Sequence, residues 1–404
     1  MTTKSAGQTL FDRVSDMEPL LPEPDAELAS LTLVLIRGAE RLGTALHPLT
    51  RKSVAGLVRS MNSYYSNLIE GHRTTPRDID AALAKQFSKN AARRSLQILH
   101  LAHIEVQADL EARIQTLPAG EICSAEFLRW LHEGFYRRLP EDLQKVGDEK
   151  GKFHKIQPGQ LRDGEVSVGR HLAPSSKKLN DFLKRFAEFY GPMVSAEPNS
   201  LVAAAAAHHR LAWIHPFLDG NGRVARLFTH AWFIKAGIDS DGLWTISRGL
   251  ARRREDYRAA LANADEKRVN DFDGRGYLSQ RYPREFCQFF LRTAIDQVEF
   301  MQGLLGLDSM QTRILGYAGR KESGKELPAG SGLVLREIFL RGEIARGEVR
   351  RIVSASPRTG QKITGELLSQ RLVTSPSPKG PLRLDFPADA AGHYFPNLYP
   401  AGAD

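Results

Sequence analysis

Apolar residues recur at helical spacing along most of the chain. Leu28, Leu31, Leu33, Leu35 and Ile36 predict a first helix, and a second covers about 50–72, ending near Gly71. Pro76 can start a third, with Ile79, Ala82 and Leu83 on one face. A long helix follows across Leu96, Ile98, Leu99, Leu101 and Ile104, and Ser124 precedes Ala125-Glu126-Phe127 as an N-cap would. Helices resume at Leu179 to Tyr190. Residues 201–214, with alanines from Ala203 to Ala207, form a small-residue helix suited to a tightly packed core. It stops at His215-Pro216, because the residue before proline is pushed out of the α region. A new helix begins near Arg223. Another spans about 285–306, where Phe286, Phe289, Phe290, Ile295, Val298 and Met301 could join two modules or form a dimer face.

Three stretches break this pattern. Residues 1–24, ending in Pro22-Glu23-Pro24, read as loose. Between Val146 and Pro174, five glycines and the alternation Glu165-Val166-Ser167-Val168 predict a β-hairpin or flap. In the last hundred residues, helices at 331–340, 346–353 and from Ser356-Pro357 precede two short strands, Leu372–Thr374 and Leu382–Phe386, around a turn at 376–380. Three helices and a hairpin are the order of a winged helix-turn-helix. The expected fold is therefore mainly α: a helical core with a small β-hairpin flap, followed by a winged helix domain. The expected division is an N-terminal helical region (1–110), a core (111–306) and a C-terminal module (307–404).

Composition narrows the function classes. The 404 residues are 42% hydrophobic and 25% charged, ordinary for a globular chain. Even Leu31 to Leu42 is interrupted by Arg37 and Glu40, so no membrane helix is expected. The polar start Met1-Thr2-Thr3-Lys4 is no signal core. Cys123 and Cys287 make neither a disulfide framework nor a metal motif, and a reducing cytoplasm is the simplest setting. The net charge of +9 favours an anionic partner, nucleotide or nucleic acid. More than half of that excess falls after residue 310, where DNA contact and plain solubility account for it equally well.

The segment His215-Pro-Phe-Leu-Asp-Gly-Asn-Gly-Arg-Val-Ala-Arg226 carries the chemistry. Gly220, Asn221 and Gly222 free the backbone to turn N–H groups inward, and the helix that follows adds its positive end. Together they make an anion nest suited to phosphates. Arg223 and Arg226 are three apart, so both guanidinium forks can face one ligand. Asp219 supplies a hard oxygen for Mg²⁺, and His215 can accept a proton near neutral pH.

This segment resembles the signature of Fic-domain proteins in full, at eight fixed positions whose chance match is on the order of one in 10⁸. Pro158-Gly-Gln-Leu-Arg162 through Pro174 looks like the family's flap. Ile246–Leu250, Tyr257, Leu261 and Asp273-Gly-Arg-Gly276 look like its later helices. The resemblance implies transfer of AMP from Mg²⁺-bound ATP to a Ser, Thr or Tyr hydroxyl of a target protein, self-modification included. It implies His215 as the base and Asp219 as the metal ligand. Gly220, Asn221, Gly222, Arg223, Val224, Ala225 and Arg226 would lie along the nucleotide, with Tyr257 near the adenine. Val166, Ser167 and Val168 would clamp the target by strand-like pairing. Upstream, Ser66-Asn-Leu-Ile-Glu70-Gly71 is similar to the family's inhibitory motif, which implies that Glu70 pairs with Arg226 and blocks the place of the ATP γ-phosphate.

Plainer readings stand beside these. A lone helical Glu70 is ordinarily solvated, and His208 and His209 are ordinarily packing residues. His208 and His215, seven apart, lack any zinc pattern. Tyr257 is as readily core as ligand. Arg358, Gln361 and Lys362 on the third C-terminal helix, with Lys379 at the wing tip, could face DNA, or the module could serve protein contact or dimerisation. Two rival functions remain: a DNA-binding transcription regulator using the core as a nucleotide sensor, and transfer of phosphate or another nucleotide. The intact base, metal ligand, nest and arginines weigh against a vestigial core.

Overall fold

The computed structural model describes residues 11–147, 151–169 and 171–400. Its helices are α1 (Ala26–Thr44), α2 (Pro48–Ile69), α3 (Pro76–Leu83), α4 (Ala91–Arg113), α5 (Ala125–Tyr136), α6 (Leu179–Tyr190), α7 (Asn199–Ile214) and α8 (Asn221–Lys235). Then come α9 (Ser247–Arg252), α10 (Arg254–Ala264), α11 (Arg281–Leu305), α12 (Leu307–Ser323), α13 (Ser331–Arg341), α14 (Val349–Ile352), α15 (Pro357–Ser369) and α16 (Ala388–Tyr394). Local chemistry sets many of these starts. Asp25, Thr75, Asn90, Ser124 and Ser356 cap their helices with side-chain oxygens, and Pro48, Pro76 and Pro357 occupy the first turn.

Helix α7 runs through the centre. Ala203, Ala204, Ala205 and Ala207 have no exposed surface, and the absence of bulk lets α8, α6, α11 and α1 pack around it. The mainly α fold is as the periodicity predicts.

The strands are three small antiparallel pairs. β1 (Lys145–Gly147) pairs with β2 (Phe153–Lys155), β3 (Ser167–Val168) with β4 (His171–Leu172), and β5 (Val373–Thr374) with β6 (Arg383–Leu384). The predicted flap is thus two hairpins, with the Ser167-Val168 alternation in the second.

Other expectations need correction. Residues 1–10 lie outside the described residues, but 11–24 are not loose. Phe11 packs 5.0 Å from the Trp213 ring, Met17 and Leu20 are buried, and Arg210 donates to the Pro19 carbonyl at 2.6 Å. The apolar face of α11 is spent inside the chain, mainly against α1, α7 and α10. Helices α12 and α16 were not anticipated.

At the C-terminal end, α13, α14 and α15 precede the β5–β6 hairpin, and Ile344 bridges Leu382 beside it. This region docks onto α2. Thr50 Oγ1 donates to the Phe339 carbonyl and Tyr65 Oη to the Leu398 carbonyl, both at 2.9 Å.

Candidate functional site

The loop between α7 and α8 forms the floor of the site. His215 ends α7 in the left-handed region, φ 49° and ψ 60°, which turns the chain out of the helix. Gly220 also has positive φ, 81°, and a Cβ there would lie 2.8 Å from the Tyr136 ring, so only glycine fits. Asn221 staples the turn: its Oδ1 accepts the Phe217 amide at 2.9 Å and its Nδ2 donates to the Phe217 carbonyl at 2.8 Å. The side-chain amide of Asn221 is therefore committed to the loop.

Two residues of α5 that sequence reasoning missed support this loop from below. Tyr136 Oη donates to Asp219 Oδ2 at 2.5 Å. His132 Nδ1 accepts the Gly159 amide at 2.9 Å, so its Nε2 carries the proton donated to the Asp219 carbonyl at 3.2 Å. The His132 ring stacks on Phe217, with centroids 4.1 Å apart. Spaced four apart on an amphipathic helix, His132 and Tyr136 carry no signal that separates them from core aromatics.

Arg223 is buried. Its Nη2 donates to Tyr136 Oη and Asp219 Oδ2, both at 3.1 Å, and its guanidinium lies 4.7 Å from the Phe135 centroid. Its Nε and Nη1 are buried with no hydrogen-bond partner, donors suited to an anion. Asp219 is raised by burial, but Arg223 and the Tyr136 hydroxyl outweigh this and hold it below the usual carboxylate range.

Arg226 is held against α2 and its C-terminal end through Nε and Nη2. Its Nε donates to Ser66 Oγ at 2.9 Å, and its Nη2 to the Ser66 carbonyl at 2.9 Å and to Glu70 Oε1 at 2.6 Å. Gly71, at φ 94°, terminates α2 just beyond. Burial raises the Glu70 carboxyl, and Arg226 and Arg223 more than reverse it, so the net direction is down. The carboxylate sits directly over Gly222, where a Cβ would collide with Glu70 Oε1. Ser66 and Glu70 are thus brought to the nest with Gly71 ending the helix beside them, and Glu70, though partly exposed, is ion-paired there rather than free in solvent.

Above the loop is a cavity of about 620 Å³. Glu70, Asn221, Gly222, Ala225 and Arg226 line one end; Val168, Gly169 and His171 of the β3–β4 hairpin cover it; Tyr257, Leu261 and Asp265 of and beside α10 form the far wall. His215 faces this space. Its Nδ1 lies 3.3 Å from the Ala212 carbonyl, an arrangement that places the proton on Nδ1 and leaves Nε2 as acceptor. Burial, then His171 and Arg162, push the imidazole down to about 4.

The remaining candidates fall in different places. Tyr257 is both readings at once: it lines the cavity, while its hydroxyl meets His208 Nε2 at 2.7 Å inside the core. His208 also meets Thr229 at 2.7 Å, and His209 meets Asp265 at 2.9 Å, so both histidines are satisfied packing residues. The Val224 side chain packs into the core rather than the cavity. Val166 is buried, and Ser167 and Val168 are exposed. Arg358, Lys362 and Lys379 are exposed on the far C-terminal elements. Among the described residues no group of three or more His, Cys, Asp or Glu is placed to hold a metal, and no helix is long and apolar enough to cross a membrane.

Residues 123–233 match the Fic/DOC family. The chain is 36% identical over 211 residues to the protein adenylyltransferase Fic of Drosophila melanogaster and to that of Drosophila sechellia, covering 46% of this chain and 42% of each relative. It therefore spans less than half the length of these curated relatives. A Fic family protein from Desulfovibrio desulfuricans G20 superposes with a TM-score of 0.51 at 17% identity, covering 89% of this chain and 96% of that one; the likeness is one of fold.

Proposed function

From the Fic/DOC domain at residues 123–233 we propose that this chain transfers AMP from ATP to a Ser, Thr or Tyr hydroxyl of a protein, and that Glu70 holds the transfer in check. The observation that carries the reading is the Arg226 guanidinium, engaged by Ser66 and by Glu70 at 2.6 Å, with the Glu70 carboxylate lying over Gly222 in the anion nest.

The chemistry follows from the residues present. The amides opening α8 and the free donors of Arg223 bind phosphate oxygens. His215 Nε2 takes the hydroxyl proton as that oxygen attacks the α-phosphorus. The bond to the β-phosphate breaks and pyrophosphate leaves. Asp219, anionic and 42% exposed at its side chain, fits an ion that uses one carboxylate and the nucleotide's own phosphates. When bound there, Mg²⁺ would neutralise charge on the phosphates. With Glu70 in place, the γ-phosphate has lost Arg226, and the nucleotide lies in an unreactive pose.

Glu70→Gly should raise incorporation of label from α-³²P-ATP at least several-fold, and adding His215→Ala should abolish the gain, since loss of a general base costs about 10²–10⁴-fold. Label from γ-³²P-ATP should not be incorporated. A Glu70→Gly protein no more active than the parent chain would overturn the inhibitory role, and transfer of the γ label would overturn AMP transfer.

A further inference from the structure

Arg162 lies in the turn before the β3–β4 hairpin and points away from solvent, its side chain wholly buried. A buried guanidinium needs acceptors, and this one finds backbone carbonyls on two separate structures. Its Nε donates to the His215 carbonyl at 2.8 Å, and its Nη2 reaches the Ile214 carbonyl at 3.4 Å. The same fork donates to the Gly164 carbonyl at 2.9 Å and the Pro174 carbonyl at 2.5 Å, the two stems of the hairpin. The Arg162 amide adds a bond to the Pro216 carbonyl at 3.0 Å. Glu165 is the nearest carboxylate, at 3.6 Å.

We propose that Arg162 is a positioning residue that fixes the β3–β4 hairpin in register with His215, so that a target hydroxyl held along the hairpin meets the imidazole. The inference rests on the AMP-transfer reading above. One planar cation spans the strained left-handed turn at His215 and both ends of the hairpin. Five donors in a fixed fork suit that task, and a lysine ammonium cannot reach all four carbonyls at once. The nucleotide's phosphates are met by a different element, α8, which Arg162 does not touch. The effect of losing Arg162 should therefore fall on the attacking group and leave ATP binding alone. A misplacement of about 1 Å between reacting groups costs about 10²-fold in rate.

The test uses the full chain carrying Glu70→Gly, with Arg162→Lys and Arg162→Gln added. Rates of self-modification from α-³²P-ATP are measured as ATP is varied. The expected result is a kcat lower by about 10²-fold with the ATP KM within about twofold of the parent. Guanidinium ion should restore part of the rate to an Arg162→Gly variant and none to the parent. Unchanged kcat, or losses in ATP affinity that match those in kcat without rescue, would overturn the proposal. If the Glu70→Gly parent itself transfers no AMP, the AMP-transfer reading fails, and amide exchange decides the rest. Exchange at Ala173, whose amide donates to the Val166 carbonyl at 3.1 Å, should quicken by about tenfold or more in Arg162→Lys if the hairpin is held as proposed, and unchanged protection would sink it.

Discussion

His215 is kept neutral by its surroundings, and that has a consequence for pH. Burial, His171 and Arg162 bring the imidazole down to about 4, so the ring gains its second proton only as pH falls through about 4 and is neutral well above it. AMP transfer by Glu70→Gly should be flat from about pH 6 to pH 8 and decline below about pH 5. Initial rates across that range check it, and a midpoint near an ordinary histidine value would contradict the assignment. Glu70 is held below the usual carboxylate range, so mild acid should not relieve inhibition in the unmodified chain. At this scale the sequence was informative for residues within one turn of each other. His215, Asp219, Gly220, Arg223 and Arg226 all lie in twelve consecutive positions. Their supports do not: Tyr136 is 83 residues from Asp219, and Arg162 is 53 from His215. Contacts of that span have no local periodicity, so only the fold reveals them. Glu70 was legible at 156 residues from Arg226 only because its own short motif resembles a known one.

Helices were legible where caps and prolines mark them, and illegible where packing alone decides. Ser124 Oγ accepts the Phe127 amide at 3.1 Å and starts α5, which carries His132 and Tyr136 beneath the loop. Ser124→Ala should cost about 1 kcal/mol of stability in urea unfolding. Its rate of transfer at saturating ATP should stay close to the parent's, because the bonds of Tyr136 lie at the other end of the helix; a large loss of rate would mean that α5 shifts as a body. By contrast, α12 buries Met310, Ile314, Tyr317 and Ala318 at good helical spacing, but only Gly306 separates it from α11, and no side chain caps it. The seven residues of α16 are too few for their own propensity to matter; they fold because Tyr394 and Phe395 pack beside Phe386. Residues 11–24 escaped for a related reason. Their prolines suppress periodicity, while isolated anchors, Phe11, Met17 and Leu20, hold them to the core.

Across the whole molecule, α2 links the C-terminal elements to the cavity above the α7–α8 loop. Its first turn is tied to Phe339 by Thr50, its last turn carries Ser66 and Glu70, and between them Tyr64 and Tyr65 meet the chain's final described segment. Tyr399 sits edge-on to Tyr64 at 5.1 Å and stacks on Tyr65 at 6.4 Å. The Leu398 carbonyl accepts from Tyr65, and the Asn397 carbonyl accepts from Arg248 at 2.8 Å. Tyr65 is one residue from Ser66 and five from Glu70, so anything that loosens this strap loosens the end of α2 that occupies Arg226. Removing residues 388–404 should lower the melting temperature by several degrees and raise AMP transfer in a chain that still carries Glu70. The milder Tyr65→Phe keeps the ring stacking and loses one hydrogen bond, a change of about 1 kcal/mol, and should leave inhibition nearly intact. Label incorporation from α-³²P-ATP, read beside a thermal melt, separates the two effects. A shortened chain that melts earlier yet transfers AMP no faster, and that becomes active only when Glu70→Gly is added, would mean the strap stabilises α2 without setting the position of Glu70.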